Sequence, residues 1–253
     1  MRAEGFTPEN HTIALTFDDG FLNNLTVALP LLEKYKIPAT FFICTASITD
    51  PVYGHPTDRI DLIRMSPQTS FIKIGTETFL RQNKELISGR DGKNAYNGIV
   101  MLPFQQWIRA NNDLRDQLND SVVEENIELC QLMNDQSVST LVKSDLVSIG
   151  SHSHHHVNLT MLTAAKAGYE VQESKTILES YNQGVDAIAF PYGFYDDRTI
   201  SVAKEAGYRY LIAGGHVDPS SGGEIFPRIG ILDGAGFSYS MLMINKGFGR
   251  FGF

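Results

Sequence analysis

The chain has 253 residues, 42% hydrophobic and 20% charged, enough apolar content for a sizeable core and with no low-complexity tract. Its 21 basic and 29 acidic residues give a formal charge of −8 with no basic stripe, which argues against nucleic acid or an anionic membrane surface as a partner. Two cysteines, Cys44 and Cys130, imply no disulfide framework; with no charged-then-apolar leader and no long apolar run, a soluble, cytoplasmic protein is expected.

Residues 12–17, TIALTF, are short, apolar and rich in strand formers, and they end at Asp18-Asp19-Gly20, so they predict a buried strand followed by a turn. Residues 23–35 carry apolar positions at helical spacing, with Asn23 or Asn24 as cap and Pro30 kinking the helix or opening its second half. Residues 39–43, ATFFI, predict a second buried strand, and strand, helix, strand in this order implies a parallel βαβ unit. The rhythm then breaks over about 44–143, an insertion that is partly polar and Gly/Asn-rich (SGRDGKNAYNG). It is also partly helical, with Trp107, Ile108, Leu114 and Leu118 spaced for one face and VVEENIELCQLM following. It reads as an elaboration that covers or shapes a cleft.

The βα rhythm resumes with strands at 146–149, 187–190, 210–213 and 225–231 and helices at 161–181 and 196–206. Such repetition predicts a (β/α) barrel or a doubly wound sheet, either of which gathers the strand C-terminal ends on one face, where active sites form.

Three strand ends carry candidate chemistry. In LTFDDG, adjacent carboxylates in a turn point different ways, so one can hold a metal while the other stays free; the same residues also make an ordinary turn with a helix-capping acid. In GSHSHHHVNLT, which holds four of the seven histidines, His152 and His156 are four apart, and a helical or tight turn would bring both to one side while His154 and His155 face solvent or the cleft wall. Two histidines and a carboxylate suit a catalytic Zn²⁺ with an open position, although the histidine pair alone is equally a surface feature. In AFPYGFYDD, Pro191-Tyr192-Gly193 makes a turn able to aim a backbone N–H at an oxyanion, or simply a strand-to-helix loop.

In this order and context the three stretches resemble the polysaccharide deacetylase (NodB-homology, carbohydrate esterase family 4) domain. Its T-F-D-D-G motif is residues 16–20, its H-[ST]-x-x-H motif is residues 152–156 followed by Val157-Asn158-Leu159, and its P-[YF]-G is residues 191–193. The resemblance implies a distorted (β/α) barrel, a single catalytic domain over 1–253. It implies a metal-dependent hydrolase that removes acetyl groups from an N-acetylated saccharide or polysaccharide. It assigns Asp18 as general base and Asp19, His152 and His156 as ligands of a divalent ion, Zn²⁺ with Co²⁺ or Ni²⁺ as alternatives. Ser153 would orient the histidine loop, and the Tyr192 backbone N–H would share the oxyanion's charge.

The sequence departs from the family pattern at several positions. Ala189 stands where the family often places an arginine, Val157 replaces a usual proline, and the tail YSMLMINKGFGRFGF lacks the late L-x-H histidine, leaving His216 as the late candidate for the general acid. Arg228 stands where related members carry an arginine, either near the cleft or paired with a surface carboxylate. These departures keep two other readings open: a saccharide-binding descendant without activity, and a small-amide hydrolase on the same fold. A paired-carboxylate glycosidase is disfavoured, because Asp18 and Asp19 are adjacent and a sugar ring needs wider spacing.

Overall fold

Six apolar segments rich in β-branched and aromatic residues, separated by helical or polar stretches, can bury both faces only if their crossovers cover the sheet. The computed structural model, which describes residues 13–181, 184–214 and 225–230, shows this arrangement. Strands β1 (Leu15–Phe17), β2 (Ala39–Ile43), β6 (Val147–Ser151), β7 (Ala187–Ala189), β8 (Tyr210–Gly214) and β9 (Ile225–Arg228) form one parallel sheet in that spatial order. The sheet curls into a six-strand half-barrel, the distorted barrel that the sequence leads one to expect. Among the described residues no helix is long and apolar enough to cross a membrane.

The curl divides the core. Phe41, Ile43, Ile149, Ile188 and Leu211 face the main apolar cluster together with helix α9 (Ala164–Glu179). Phe42 points to the other face and packs with Ala187 and Ala189. Its ring leaves no room for a side chain opposite: a Cβ on Gly150 would lie 2.5 Å from Phe42 Cε1. Small residues on β6 and β7 therefore follow from one large ring on β2.

Three expectations change. Strand β1 is not fully buried: Leu15 is 37% exposed, because β1 pairs only with β2 and lies at the sheet edge. Residues 23–35 do not form one capped helix. A π-helical turn (Asn24–Ala28) runs into helix α1 (Leu29–Tyr35) and neither Asn23 nor Asn24 caps with its side chain, while Pro30 opens the second half of the run, as expected, where the π-helical turn gives way to α1. Third, FIKIGTETFLRQNKELIS, which the polar reading passed over, forms an antiparallel sheet of β3 (Phe71–Ile74), β4 (Glu77–Gln82) and β5 (Glu85–Ser88).

That sheet is joined by helices α2 (Ala46–Thr49), α3 (Pro56–Met65), α4 (Ala95–Val100), α5 (Phe104–Arg115), α6 (Asp120–Glu125), α7 (Ile127–Cys130) and α8 (Asp135–Leu141). Trp107 and Leu114 are buried on one face of α5, as their spacing predicts, and VVEENIELC breaks at Asn126 into α6 and α7.

Candidate metal centre

The Asp-Asp-Gly turn closes because two successive residues take left-handed backbone angles, Asp19 at φ 71° and Gly20 at φ 81°. Only glycine does so freely, and at Gly20 a Cβ would also approach Ile43 Cγ2 to 3.1 Å. The end of the insertion clamps the turn: Leu22 N–H donates to Gln131 O (2.7 Å) and Met133 N–H to Gly20 O (2.8 Å). The reversal sends the two carboxylates apart.

The histidine loop is neither helical nor solvated. Ser153 (φ 63°) and His156 (φ 54°) bend it back on itself, and Ser153 Oγ accepts the His156 N–H at 3.0 Å, the orienting contact expected of that hydroxyl. His152 N–H donates to Ile43 O, which ties the loop to the end of β2. His154 and His155 face the wall. His154 Nδ1 bonds Thr45 Oγ1 (2.8 Å), while Glu170, buried on α9, accepts from the His155 N–H (2.8 Å) and pairs with His155 Nδ1 (2.7 Å).

His152 and His156 instead converge on Asp19. Their Nε2 atoms lie 3.3 and 3.2 Å from Asp19 Oδ1. A tetrahedral centre with ligand bonds of about 2.05 Å has edges of roughly 3.3 Å, so both histidine-to-Asp19 separations match tetrahedral edges, and all three donor atoms lie within 4.8 Å of one another. His152 Nδ1 donates to the Ala189 carbonyl at 2.7 Å, which fixes that proton on Nδ1 and leaves Nε2 to face Asp19. Opposed lone pairs at such a distance repel until a cation or a proton lies between them. Burial pushes the Asp19 carboxyl up, but His156 and His152 outweigh it and hold it far below the ordinary carboxylate range. Burial likewise holds His156 well below its usual value, in the neutral form a metal requires. Among the described residues this is the one cluster of three or more such side chains with metal-ligand spacing.

Asp18 lies beside the cluster, its Oδ2 3.9 Å from His152 Nε2, and meets Arg228. The guanidinium grips the carboxylate bidentately, Nη1 to Oδ1 at 2.6 Å and Nη2 to Oδ2 at 2.7 Å, and also reaches Thr16 Oγ1 at 3.2 Å. Its plane lies over the Phe42 ring, 5.4 Å from the centroid. An arginine thus stands on Asp18 although position 189 is alanine, supplied from β9. Ala189 packs against Phe42, and that ring carries the guanidinium.

Tyr192 (φ 58°) lies against His156, ring centroids 4.5 Å apart, with its hydroxyl buried and unpartnered. His216 lies outside the described residues. One neighbour carries no motif: His55, from the insertion, is buried with its ring 4.7 Å from that of His156. Only its place before Pro56 hinted at a helix start, and nothing in its spacing marked it as facing the centre.

A parallel half-barrel with this acid-and-histidine cluster at its strand ends has the plan of the NodB-type deacetylases. The chain belongs to the polysaccharide deacetylase family, whose pattern it matches over residues 6–85 and 105–211, so much of the 44–143 insertion falls within the family match. A curated Bacillus subtilis (strain 168) protein with a polysaccharide deacetylase name, YxkH, is 22% identical over 210 residues. The match covers 83% of this chain and 47% of YxkH, so the chain spans about half the length of that relative. Solved structures share the fold. The Streptococcus pyogenes deacetylase PplD, in complex with acetate, has a TM-score of 0.50 at 19% identity (93% of this chain, 71% of that one). A de-N-acetylase from Aggregatibacter actinomycetemcomitans has a TM-score of 0.52 at 15% identity (95% and 78%). The Bacillus cereus polysaccharide deacetylase BC0361 has a TM-score of 0.53 at 17% identity (92% and 51%).

Proposed function

We propose that this chain is the catalytic domain of a metal-dependent deacetylase that hydrolyses the acetamido group of an N-acetylated saccharide or polysaccharide. The observation that carries the reading is the convergence of Asp19, His152 and His156 beside an Asp18 held separately by Arg228. A divalent cation held by those three side chains, Zn²⁺ by the donor set or else Co²⁺ or Ni²⁺, supplies Lewis-acid polarisation and a lowered pKa for water.

Asp18 takes the proton from the attacking water, and Arg228 keeps its carboxylate out of the ligand set and aimed into the cleft. The left-handed turn at Tyr192 presents that residue's backbone N–H to the oxygen on which charge develops. His154, His155 and Glu170 hold the loop so that the His152 and His156 lone pairs stay in place. The 44–143 segment forms one wall of the same site. Arg228 also answers the strongest motive for an inactive saccharide-binding descendant, since Asp18 has its arginine after all.

Acetate release from a panel of N-acetylated saccharides tests the assignment. Wild type should release acetate and Asp18→Asn should lose nearly all of that activity while still binding Zn²⁺. Full activity in the variant would remove Asp18 from the role of base.

A further inference from the structure

A cavity of about 270 Å³ is lined by His154 and His155 of the histidine loop, by Trp107 and Arg115 of α5, and by Tyr53 and Arg59. Neither Asp18 nor the metal-ligand side chains Asp19, His152 and His156 line it, so it is distinct from the metal centre. The two sites share the histidine loop, and Tyr53 ties the cavity to it by donating its hydroxyl to His155 O at 2.6 Å. Pockets that take drug-sized ligands run from about 300 Å³ upward, so this one suits a smaller molecule.

The wall has donors and positive charge in excess. Arg59 is 7% exposed, and a guanidinium so deeply buried ordinarily has a carboxylate beside it. Arg59 forms no ion pair with a described carboxylate. Its Nη1 donates to Asn111 O and Oδ1, at 2.7 Å each, and its Nη2 donates to Val52 O at 3.0 Å, all uncharged acceptors. A guanidinium carries five N–H donors, so Nε–H and one hydrogen of Nη2 remain. A Cβ added at Gly54 would stand 3.3 Å from Nη2 and 3.4 Å from Nε, so the bare glycine keeps those two nitrogens uncovered. Asp58, next in sequence, supplies no counter-charge. Its Oδ2 is buried without a hydrogen-bond partner, and burial pushes its carboxyl up to about 8. Trp107 is 1% exposed, and its Nε1, a donor only, is likewise buried without an acceptor. Arg115, exposed on α5, adds a second guanidinium, whose Nε donates to Asp116 at 3.2 Å.

We propose that this cavity is a binding site for a small monocarboxylate, held by the Arg59 guanidinium and separate from the metal centre. A carboxylate brings the negative charge that Arg59 lacks and acceptors for the remaining N–H groups of the wall, and such charge-assisted bonds are the strong ones. The wall also sets the charge of the ligand. Asp50 lines the same cavity, its Oδ1 accepting the Val52 N–H at 3.0 Å, and this exposed carboxylate opposes a dianion more than a monoanion. The volume excludes a saccharide chain, so the ligand is a small free acid.

Trp107 is the one tryptophan of the chain, so its fluorescence reports on this wall directly. Zn²⁺-loaded wild type is titrated at constant ionic strength with propionate, with propionamide, which has the same shape and no charge, and with inorganic phosphate. Propionate should give a saturable change, and propionamide and phosphate should each bind at least about tenfold more weakly. Arg59→Gln should weaken propionate binding about 10–100-fold. Gly54→Ala keeps the charge but crowds Nη2 and Nε; it should weaken binding about tenfold and serves if the Gln variant does not fold. His152→Ala, which removes a metal ligand, should bind propionate within about threefold of wild type. No saturable response in wild type, an equal response to propionamide, or undiminished binding in the folded Arg59 and Gly54 variants would overturn the site. Loss of the response in His152→Ala would place the carboxylate on the metal instead, and phosphate binding tighter than propionate would overturn the monocarboxylate assignment.

Discussion

Replacing Arg228 with methionine removes the fork on Asp18, and with it the guanidinium over Phe42, while keeping an apolar stem of similar length. Two unit charges about 4 Å apart attract by roughly 4 kcal/mol at an effective dielectric of about 20. Asp18 keeps 31% and Arg228 20% of its side-chain exposure, so solvent offsets most of that and the stability cost should be about 1 kcal/mol. The catalytic cost should be far larger. Asp18 Oδ2 already lies 3.9 Å from His152 Nε2, and once released the carboxylate can swing toward the metal ligands. A misplacement of about 1 Å costs on the order of 10²-fold in rate. Arg228→Met should therefore lower kcat/KM for acetate release about 100-fold, with Zn²⁺ affinity by calorimetry unchanged or slightly higher. Arg228→Lys, which keeps the charge without the fork, should fall between. A methionine variant within threefold of wild type would refute the role given to Arg228, as would a loss explained wholly by weaker Zn²⁺ binding.

Within the histidine loop, His152→Ala should abolish tight Zn²⁺ binding, whereas His154→Ala, which breaks the bond to Thr45 and loses the ring contacts with His155 and Tyr169, should lower the melting temperature and leave one ion bound; calorimetry on both variants decides. Gly150→Ala places a Cβ 2.5 Å from Phe42 Cε1 and 3.1 Å from Ala187 O, and such overpacking should cost about 1–3 kcal/mol in urea unfolding. Asp58 sets a pH dependence of stability. Its native value of about 8 lies above its unfolded value of 3.8, so between these the folded state holds a proton that the unfolded state has lost, and stability falls as pH rises. Asp58→Asn has no such proton to lose. Relative to wild type it should gain about 1–3 kcal/mol between pH 5 and pH 9, below the full linkage value because water and nearby groups relax around the charge. A pH-independent difference in urea midpoints would contradict that reading of the Asp58 environment.

The sequence was most legible where local chemistry and strand rhythm coincide. ATFFI reads directly as a strand, while the Asp-Asp-Gly turn and the His-x-x-x-His spacing each follow the C-terminal end of a parallel strand, and a parallel sheet places those ends together whatever lies between. What escaped depends on partners distant in sequence. Arg228 reaches Asp18 across 210 positions, and no local pattern says whether a lone arginine on a strand serves a cleft or the surface. Glu170 looks like any polar residue on a helix until the loop descends on it. The β3–β4–β5 sheet was hidden because its strands are half-exposed and interrupted by polar turns, so their alternation is weak. His55 and Asp58 belong to a stretch whose only local signal is a helix start.

The most direct measurement of the central claim is acetate release from N-acetylated oligosaccharides by the protein as purified, after chelation, and after re-addition of Zn²⁺ or Co²⁺. The account predicts activity that vanishes on chelation and returns with one ion per chain in wild type, and never returns in His152→Ala. Undiminished acetate release from fully chelated protein, or none from any N-acetylated saccharide by the Zn²⁺-loaded chain, would contradict it.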